Sequence, residues 1–304
     1  MNNEILTFSA PMRLSLAGGG SDLPESYLKA DTKVMSVSIN ERVTIKVGKN
    51  IENTSSQLVE IFQQKHPYCN VQVSSNIPPG SGLGGSGSLA VALVAADNYL
   101  NTGRIGDPLK IGLEAYRWER EILGQSVGFQ DQLVAAIGRC VQMDAFTSGK
   151  INAFRRDDLY SILCKFMENN FVFIEVGKHR KADDILKQLA SSYESNKQFR
   201  PASFNDIESA INHKDVEKFG IYLRNHWNSK RSQLPASTSM DIDFIIDNAF
   251  DVGAIGAKNI GAGGGGYVFI CTKSQNKQSV INRMVSLGYN VCDFKLSSVG
   301  VIKE

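Results

Sequence analysis

From Asn76 to Asn98 the chain reads Asn-Ile-Pro-Pro-Gly-Ser-Gly-Leu-Gly-Gly-Ser-Gly-Ser, then Leu-Ala-Val-Ala-Leu-Val-Ala-Ala-Asp-Asn. Glycines at positions 80, 82, 84, 85 and 87 remove side chains where a backbone must come close to something. The breaker-free apolar run after them predicts a buried helix. The start of that helix aims free N–H groups and the positive end of its dipole back at the loop. Such a junction binds anions, phosphate above all. Two common phosphate loops do not fit. A Walker loop ends in Gly-Lys-Ser/Thr, and no lysine lies between Lys65 and Lys110. A dinucleotide fingerprint can be threaded through Gly80, Gly82 and Gly85, but it wants its first glycine directly after a strand, and Ile77-Pro78-Pro79 intervenes. Leu83 inside the loop and the long apolar helix behind it argue against a flexible tether. A second glycine run, Gly18-Gly19-Gly20-Ser21-Asp22-Leu23-Pro24, is a turn built for close approach, and a third spans Gly261 to Gly266.

All three stretches resemble one family, in its order. Pro78 to Ser86 is similar to the phosphate loop of the GHMP kinases (galacto-, homoserine, mevalonate and phosphomevalonate kinases), Pro-x-x-x-Gly-Leu-Gly-Ser-Ser, with glycine at position 85 as the one departure. Pro11 to Asp22 resembles the sugar-kinase signature Pro-x-Arg-x-x-Leu-x-Gly-x-x-Thr/Ser-Asp, and Lys258 to Gly266 looks like the family's C-terminal glycine motif. With the region of Glu119 and Asp131 the match spans most of the chain. It implies a two-domain α+β fold, ribosomal-S5-like in its N-terminal part and ferredoxin-like in its C-terminal part, and ATP-dependent phosphorylation of a small alcohol. Where galactokinases carry a Glu-His pair this chain has Gly19-Gly20. That triple glycine, together with Gly128-Phe129-Gln130-Asp131-Gln132, looks more like the heptose 7-phosphate kinases, although fucokinase-like relatives share a glycine-rich first motif.

The resemblance assigns roles, and phosphoryl-transfer chemistry says what each role requires. Nucleotide phosphates fall to Pro79, Gly80, Ser81, Gly82, Leu83, Gly84, Gly85, Ser86, Gly87 and Ser88. Mg²⁺ keeps several waters and needs few protein oxygens, here Ser86 and Glu119. Asp131 matches the aspartate near the acceptor hydroxyl and would take its proton. Arg13 matches the basic residue of the first motif, with a fixed charge suited to holding Asp131 ionised. Gly18, Gly19, Gly20, Ser21, Asp22, Gln132, Gly263, Gly264 and Gly265 would surround the sugar. Arg224, His226, Lys230 and Arg231 add a basic cluster on a helical run that also carries Trp227. Lys230 and Arg231 point in different directions on a helix, so at most one of them reaches a distal phosphate.

The elements that must position these groups follow from periodicity. Ile5 to Ala17 and Val34 to Val47 read as strands, the second with apolar teeth at Val37, Ile39, Val43, Ile45 and Val47. Ser56 to Lys65 suits a short helix, and Val71 to Val73 a strand feeding the loop. Asp107-Pro108 opens a helix whose buried stripe is expected at Ile111, Ala115, Trp118 and Ile122. Glu119 and Glu121 flank that stripe on opposite sides, and periodicity does not choose between them. Arg117 can pair with Glu121 one turn away. Composition shifts near Thr147 to Lys150, which predicts domains over 1–150 and 151–304. Beyond it, Phe171 to Val176 and Tyr267 to Thr272 read as strands, with further strands around Val291 and Val299. Ala182–Tyr193, Phe204–Trp227 and Ser239–Val252 read as helices.

Composition bounds the remaining possibilities. The 304 residues are 42% hydrophobic and 21% charged, which describes a folded chain. Lys+Arg 33 against Asp+Glu 31 gives no field for nucleic acid or an anionic membrane, so any anionic substrate must meet a local cluster. No apolar stretch follows Met1 to Glu4, and Leu89 to Ala96 is too short to span a bilayer. Cys69, Cys140, Cys164, Cys271 and Cys292 are scattered, without Cys-x-x-Cys, and suit a cytoplasm; the histidines show no metal spacing. The expectation is a cytoplasmic sugar-phosphate kinase using ATP and Mg²⁺. A non-catalytic sugar sensor on the same fold would be free to lose Asp131, Arg13, Ser86 and Glu119. A nicotinamide oxidoreductase would need a ribose-binding acid after its second strand, and Asp97 falls inside the helix pattern.

Overall fold

The structure is a computed structural model that describes residues 5–177, 182–194 and 204–304. Strand β1 (Leu6–Ala17) turns through the short helix α1 (Pro24–Tyr27) into β2 (Thr32–Gly48), and the two pair antiparallel along most of their length. Helix α2 (Gln57–Lys65), capped by the Ser56 hydroxyl, and β3 (Asn70–Ser75) lead to the phosphate-loop helix α3 (Gly85–Thr102). Then come α4 (Pro108–Arg117), capped by Asp107, a π-helical turn (Trp118–Ile122), α5 (Gln130–Ile137), β4 (Cys140–Ala145) and β5 (Ile151–Arg155). The second half holds α6 (Asp157–Asn170), β6 (Phe171–Glu175), α7 (Ala182–Glu194), α8 (Phe204–Asn212), α9 (Val216–Gln233), α10 (Met240–Asp251), β7 (Ala254–Asn259), β8 (Tyr267–Thr272), α11 (Ser274–Ser286), β9 (Val291–Cys292) and β10 (Ile302–Lys303).

These strands make a six-stranded sheet, in order β10-β1-β2-β4-β5 with β3 also on β2, and a four-stranded sheet in order β7-β8-β6-β9. The α+β expectation holds. The division expected at residue 150 falls between β4 and β5, which are paired in one sheet, and β10 returns to β1 from the far end of the sequence. The predicted teeth Val37, Ile39, Val43, Ile45 and Val47 are all buried. Helix α3 is buried on nearly every side, which explains its lack of polar residues between Leu89 and Ala96. No described helix is long and apolar enough to cross a membrane.

Three expectations are corrected. The stripe on α4 does not reach Ile122, which is 57% exposed. Leu123 N donates to Trp118 O across five residues (3.0 Å), and this wider turn rotates the later side chains off the helical schedule. The helical run from Phe204 to Trp227 is two helices, because Lys214 adopts a left-handed φ of 55° and Asp215 caps α9 through Lys218 N. The last strand is Ile302–Lys303 rather than a segment at Val299.

Helix α9 reaches the site because it packs backbone to backbone on β7. A Cβ on Gly256 would lie 1.8 Å from Gly220 O, and one on Gly220 would lie 2.6 Å from Ile255 Cβ. Gly256→Ala is therefore expected to lower unfolding stability by about 1–3 kcal/mol, measured by denaturant titration. An unchanged midpoint would show that the two elements separate freely.

Candidate active site

A cavity of about 620 Å³ lies where the phosphate loop meets β1, α5, α9 and β7. The loop earns its glycines: Gly80, Gly82 and Gly84 hold φ of 79°, 79° and 80°, a region open to glycine and strained for most other residues. Ser88 N donates to Gly84 O as the first helical bond of α3, so the N–H groups of Gly85, Ser86 and Gly87 precede the ladder. Two neighbours hold the loop in place. From β1, Arg13 N donates to Leu83 O (2.9 Å) and Arg13 Nη1 to Gly82 O (2.6 Å). From the second half of the chain, the glycine run after β7 packs against the loop's backbone. A Cβ on Gly266 would lie 2.1 Å from Ser81 O, and one on Gly261 would lie 2.6 Å from Gly82 O.

Two acids flank the helix start. Arg13 Nε and Nη2 both donate to Asp131 Oδ1, at 2.7 and 2.6 Å, while a Cβ on Gly84 would lie 3.2 Å from Oδ2. Asp131 sits at the first turn of α5 and packs so tightly on Gly87 that a Cβ there would lie 2.8 Å from its own. Glu119, at the start of the π-helical turn and on the face of buried Gly112 and Ala115, is 1% exposed. Its carboxylate accepts from Ser86 Oγ and from Gln132 Nε2, each at 2.5 Å. Burial pushes its pKa up to about 7 against the effect of both hydrogen bonds. Glu121 stays on the surface, paired with Arg117 at 3.2 Å as the helical spacing predicts.

Away from the loop, Asp22 accepts from Gly20 N (2.9 Å) and faces Gly128, whose Cβ would collide with its carboxylate. Burial, with the charge of Asp131 added, pushes Asp22 up to about 6. Lys230 donates to Gly261 O (2.7 Å) and Lys258 to Leu16 O (3.4 Å). Three buried polar atoms on this wall, Ser15 Oγ, Gln132 Oε1 and Asn259 Oδ1, lack a hydrogen-bond partner among the described residues. Apolar residues Ile185, Leu186 and Leu189 of α7 cover the same end.

The GHMP kinases N terminal domain matches residues 34–139, and the GHMP kinases C terminal domain matches residues 207–290. This chain belongs to the GHMP kinase family. A D-glycero-alpha-D-manno-heptose 7-phosphate kinase of Campylobacter jejuni is 26% identical over 96% of both chains. A Pyrococcus furiosus galactokinase is 23% identical over 86% of this chain and 87% of its own. Among solved structures, a D-glycero-D-manno-heptose 1-phosphate kinase from B. thetaiotaomicron superposes with a TM-score of 0.75 at 19% identity, covering 98% of each chain. Its likeness is one of fold.

In this GHMP kinase the cavity wall contains Pro79 to Gly82, Gly84 to Gly87, Gly19, Gly20, Asp22, Arg13, Glu119, Asp131, Gln132 and Lys230. Other expected site residues stand behind it. Leu83 is buried in the core, and Ser88 Oγ ties α3 to Pro11 O at 2.8 Å. Gly18 and Ser21 close the turn on each other, Ser21 Oγ donating to Gly18 O (2.8 Å). Gly263, Gly264 and Gly265 do not line the cavity. Gly263 and Gly264 pack on Ser237, and the Gly265 carbonyl accepts from Asn259 Nδ2. Arg231, one residue beyond Lys230, turns away from the cavity toward Asp243 (3.5 Å). His226, expected in the basic cluster with Lys230, and Lys258, the first residue of the third glycine motif, are both in the wall. The signal for His226 was its i, i+4 spacing to Lys230 on one helix face.

Proposed function

We propose that this kinase transfers the γ-phosphoryl group of ATP to the anomeric hydroxyl of a sugar phosphate, D-glycero-D-manno-heptose 7-phosphate giving the 1,7-bisphosphate, in the cytoplasm. The observation that carries the reading is the Asp131 carboxylate, gripped by Arg13 and seated against the glycine loop at the open start of α3. Asp131 takes the hydroxyl proton as the new O–P bond forms and the bond to the β-phosphate oxygen breaks, with ADP leaving. Arg13 grips the carboxylate through Oδ1 and leaves Oδ2 turned toward the loop as the acceptor. The N–H groups of Gly85, Ser86 and Gly87 face negative charge at the phosphates.

Ser86 and Glu119 fit a Mg²⁺ ion. A buried carboxylate whose contacts are neutral donors gains from a cation, and a hydroxyl oxygen lies 2.5 Å from it. The ion, when bound, neutralises charge on the nucleotide phosphates. A polyhydroxylated acceptor is favoured by Asp22 and by the Ser15, Gln132 and Asn259 oxygens, which have no partner among the described residues and which hydroxyl donors would satisfy. The heptose subgroup is supported by the Campylobacter relative, and the compartment by five cysteines that all remain free.

An ADP-release assay with manno-heptose 7-phosphate, unphosphorylated heptose, galactose, fucose, mannose, mevalonate and homoserine tests the acceptor. We expect the heptose 7-phosphate to lead in kcat/KM by about tenfold or more, roughly 1.4 kcal/mol. A lead of that size for an unphosphorylated sugar would overturn the sugar-phosphate reading, and silence across the panel would favour a sensor.

A further inference from the structure

We infer that Lys230 and Lys258 together form an anion subsite that holds the terminal phosphate of the acceptor sugar, an assignment that rests on the sugar-phosphate reading above. Both ammonium groups are buried, and both line the cavity. They arrive from different elements, Lys230 from α9 and Lys258 from the end of β7, and the tight Gly220–Gly256 contact fixes those elements against each other. Each spends one donor on a backbone carbonyl, Gly261 O or Leu16 O. An ammonium carries three donors, so others remain on each. Among the described residues neither lysine forms an ion pair.

The nearby charges do not neutralise them. Arg13 adds a third positive charge, and its guanidinium is already committed to Asp131 and Gly82 O. Asp22 opposes Lys230, but its oxygens face Gly20 N and Gln130 N. His226, one turn before Lys230, is buried and stacked on Tyr222, and its pKa is held well below the ordinary range by burial and by both lysines. It serves as a neutral wall. Burial, with the charge of Arg13 added, lowers Lys230 to about 8, and burial, with the charges of Lys230 and Arg13 added, lowers Lys258 to about 7. An unneutralised buried pair of this kind is costly in the free protein. A phosphate dianion between the two ammonium groups reverses the balance and takes up their spare donors. A sugar hydroxyl would not, because it brings no charge.

The test compares Lys230→Met, Lys258→Met and, as a control outside the cavity, Arg231→Met. Each lysine variant should raise KM for heptose 7-phosphate about tenfold or more and cut the preference for it over unphosphorylated heptose by a similar factor. KM for ATP should stay within about twofold, and Arg231→Met should leave the preference intact. A preserved preference in both lysine variants, or an ATP KM that rises in step, would overturn the subsite. Inorganic phosphate supplies a readout that needs no variant to fold. In wild type it should compete with the sugar phosphate and not with ATP; competition with ATP alone would sink the proposal. If wild type turns over no sugar phosphate, the kinase reading of the acceptor falls. The subsite is then decided by whether inorganic phosphate raises the melting temperature of wild type more than that of Lys258→Met.

Discussion

Asp131→Ala is expected to lower kcat by about a hundredfold or more while ATP affinity stays near wild type. The carboxylate touches the loop at Gly84 and Gly87 but donates nothing to it, so the nucleotide keeps its backbone cradle when the side chain is gone. What disappears is the proposed proton acceptor and the partner of Arg13, whose guanidinium would be left with Gly82 O alone. Asp131→Asn separates these two losses, since the amide oxygen still accepts from Arg13 but is a poor base. Both variants should be slow under saturating substrates, with ATP binding followed by calorimetry. If either retains more than half of wild-type kcat, Asp131 is not the base.

Glu119→Ala is the second large effect. It should raise the Mg²⁺ concentration needed for half-maximal activity about tenfold or more, whereas Glu121→Ala should leave it unchanged. Glu119 is enclosed with Ser86 and Gln132 as its donors, and Glu121 is a surface partner of Arg117. Removing Glu119 also strands Gln132 Nε2 in a buried place, which costs about 1–3 kcal/mol of stability. Glu119→Gln retains the volume and loses the charge, so it should shift the Mg²⁺ requirement with less unfolding. A midpoint that moves for Glu121→Ala and stays put for Glu119→Ala would exchange the two residues' roles.

The choice between these glutamates shows where sequence stopped being legible. Strand teeth, the apolar α3, the cap at Asp107 and the three glycine stretches are local signals, and the structure carries each of them. At Trp118 the chain inserts one residue into a turn, and a hundred-degree schedule no longer says which side chain faces inward. Glu119 shares the buried face of Gly112 and Ala115, and the exposure of Ile122 comes from that one turn. The third glycine motif was visible, but its task was not. Sequence suggested contact with the sugar for Gly263, Gly264 and Gly265; in the structure Gly263 lies against the Ser237 backbone, and its neighbours Gly261 and Gly266 lie against the backbone of the phosphate loop. Lys258 gave no signal of its own, since its place in the wall depends on β7 meeting Leu16 of β1 from across the chain.

The pairing of β10 with β1, Phe8 opposite Lys303 and Ser9 opposite Ile302, also sets a schedule for biosynthesis. The ribosome delivers β1 well before its outer partner β10, with every other strand and helix of the described fold in between. At about 5–20 residues per second, the gap is on the order of tens of seconds. During that gap the outer rim of β1 presents its N–H and C=O groups to whatever strand is near, including the same rim on a neighbouring nascent chain. The Arg42 guanidinium, which in the finished protein bridges Ser9 O and Gly300 O, has one of those two acceptors from the start and must wait for the other.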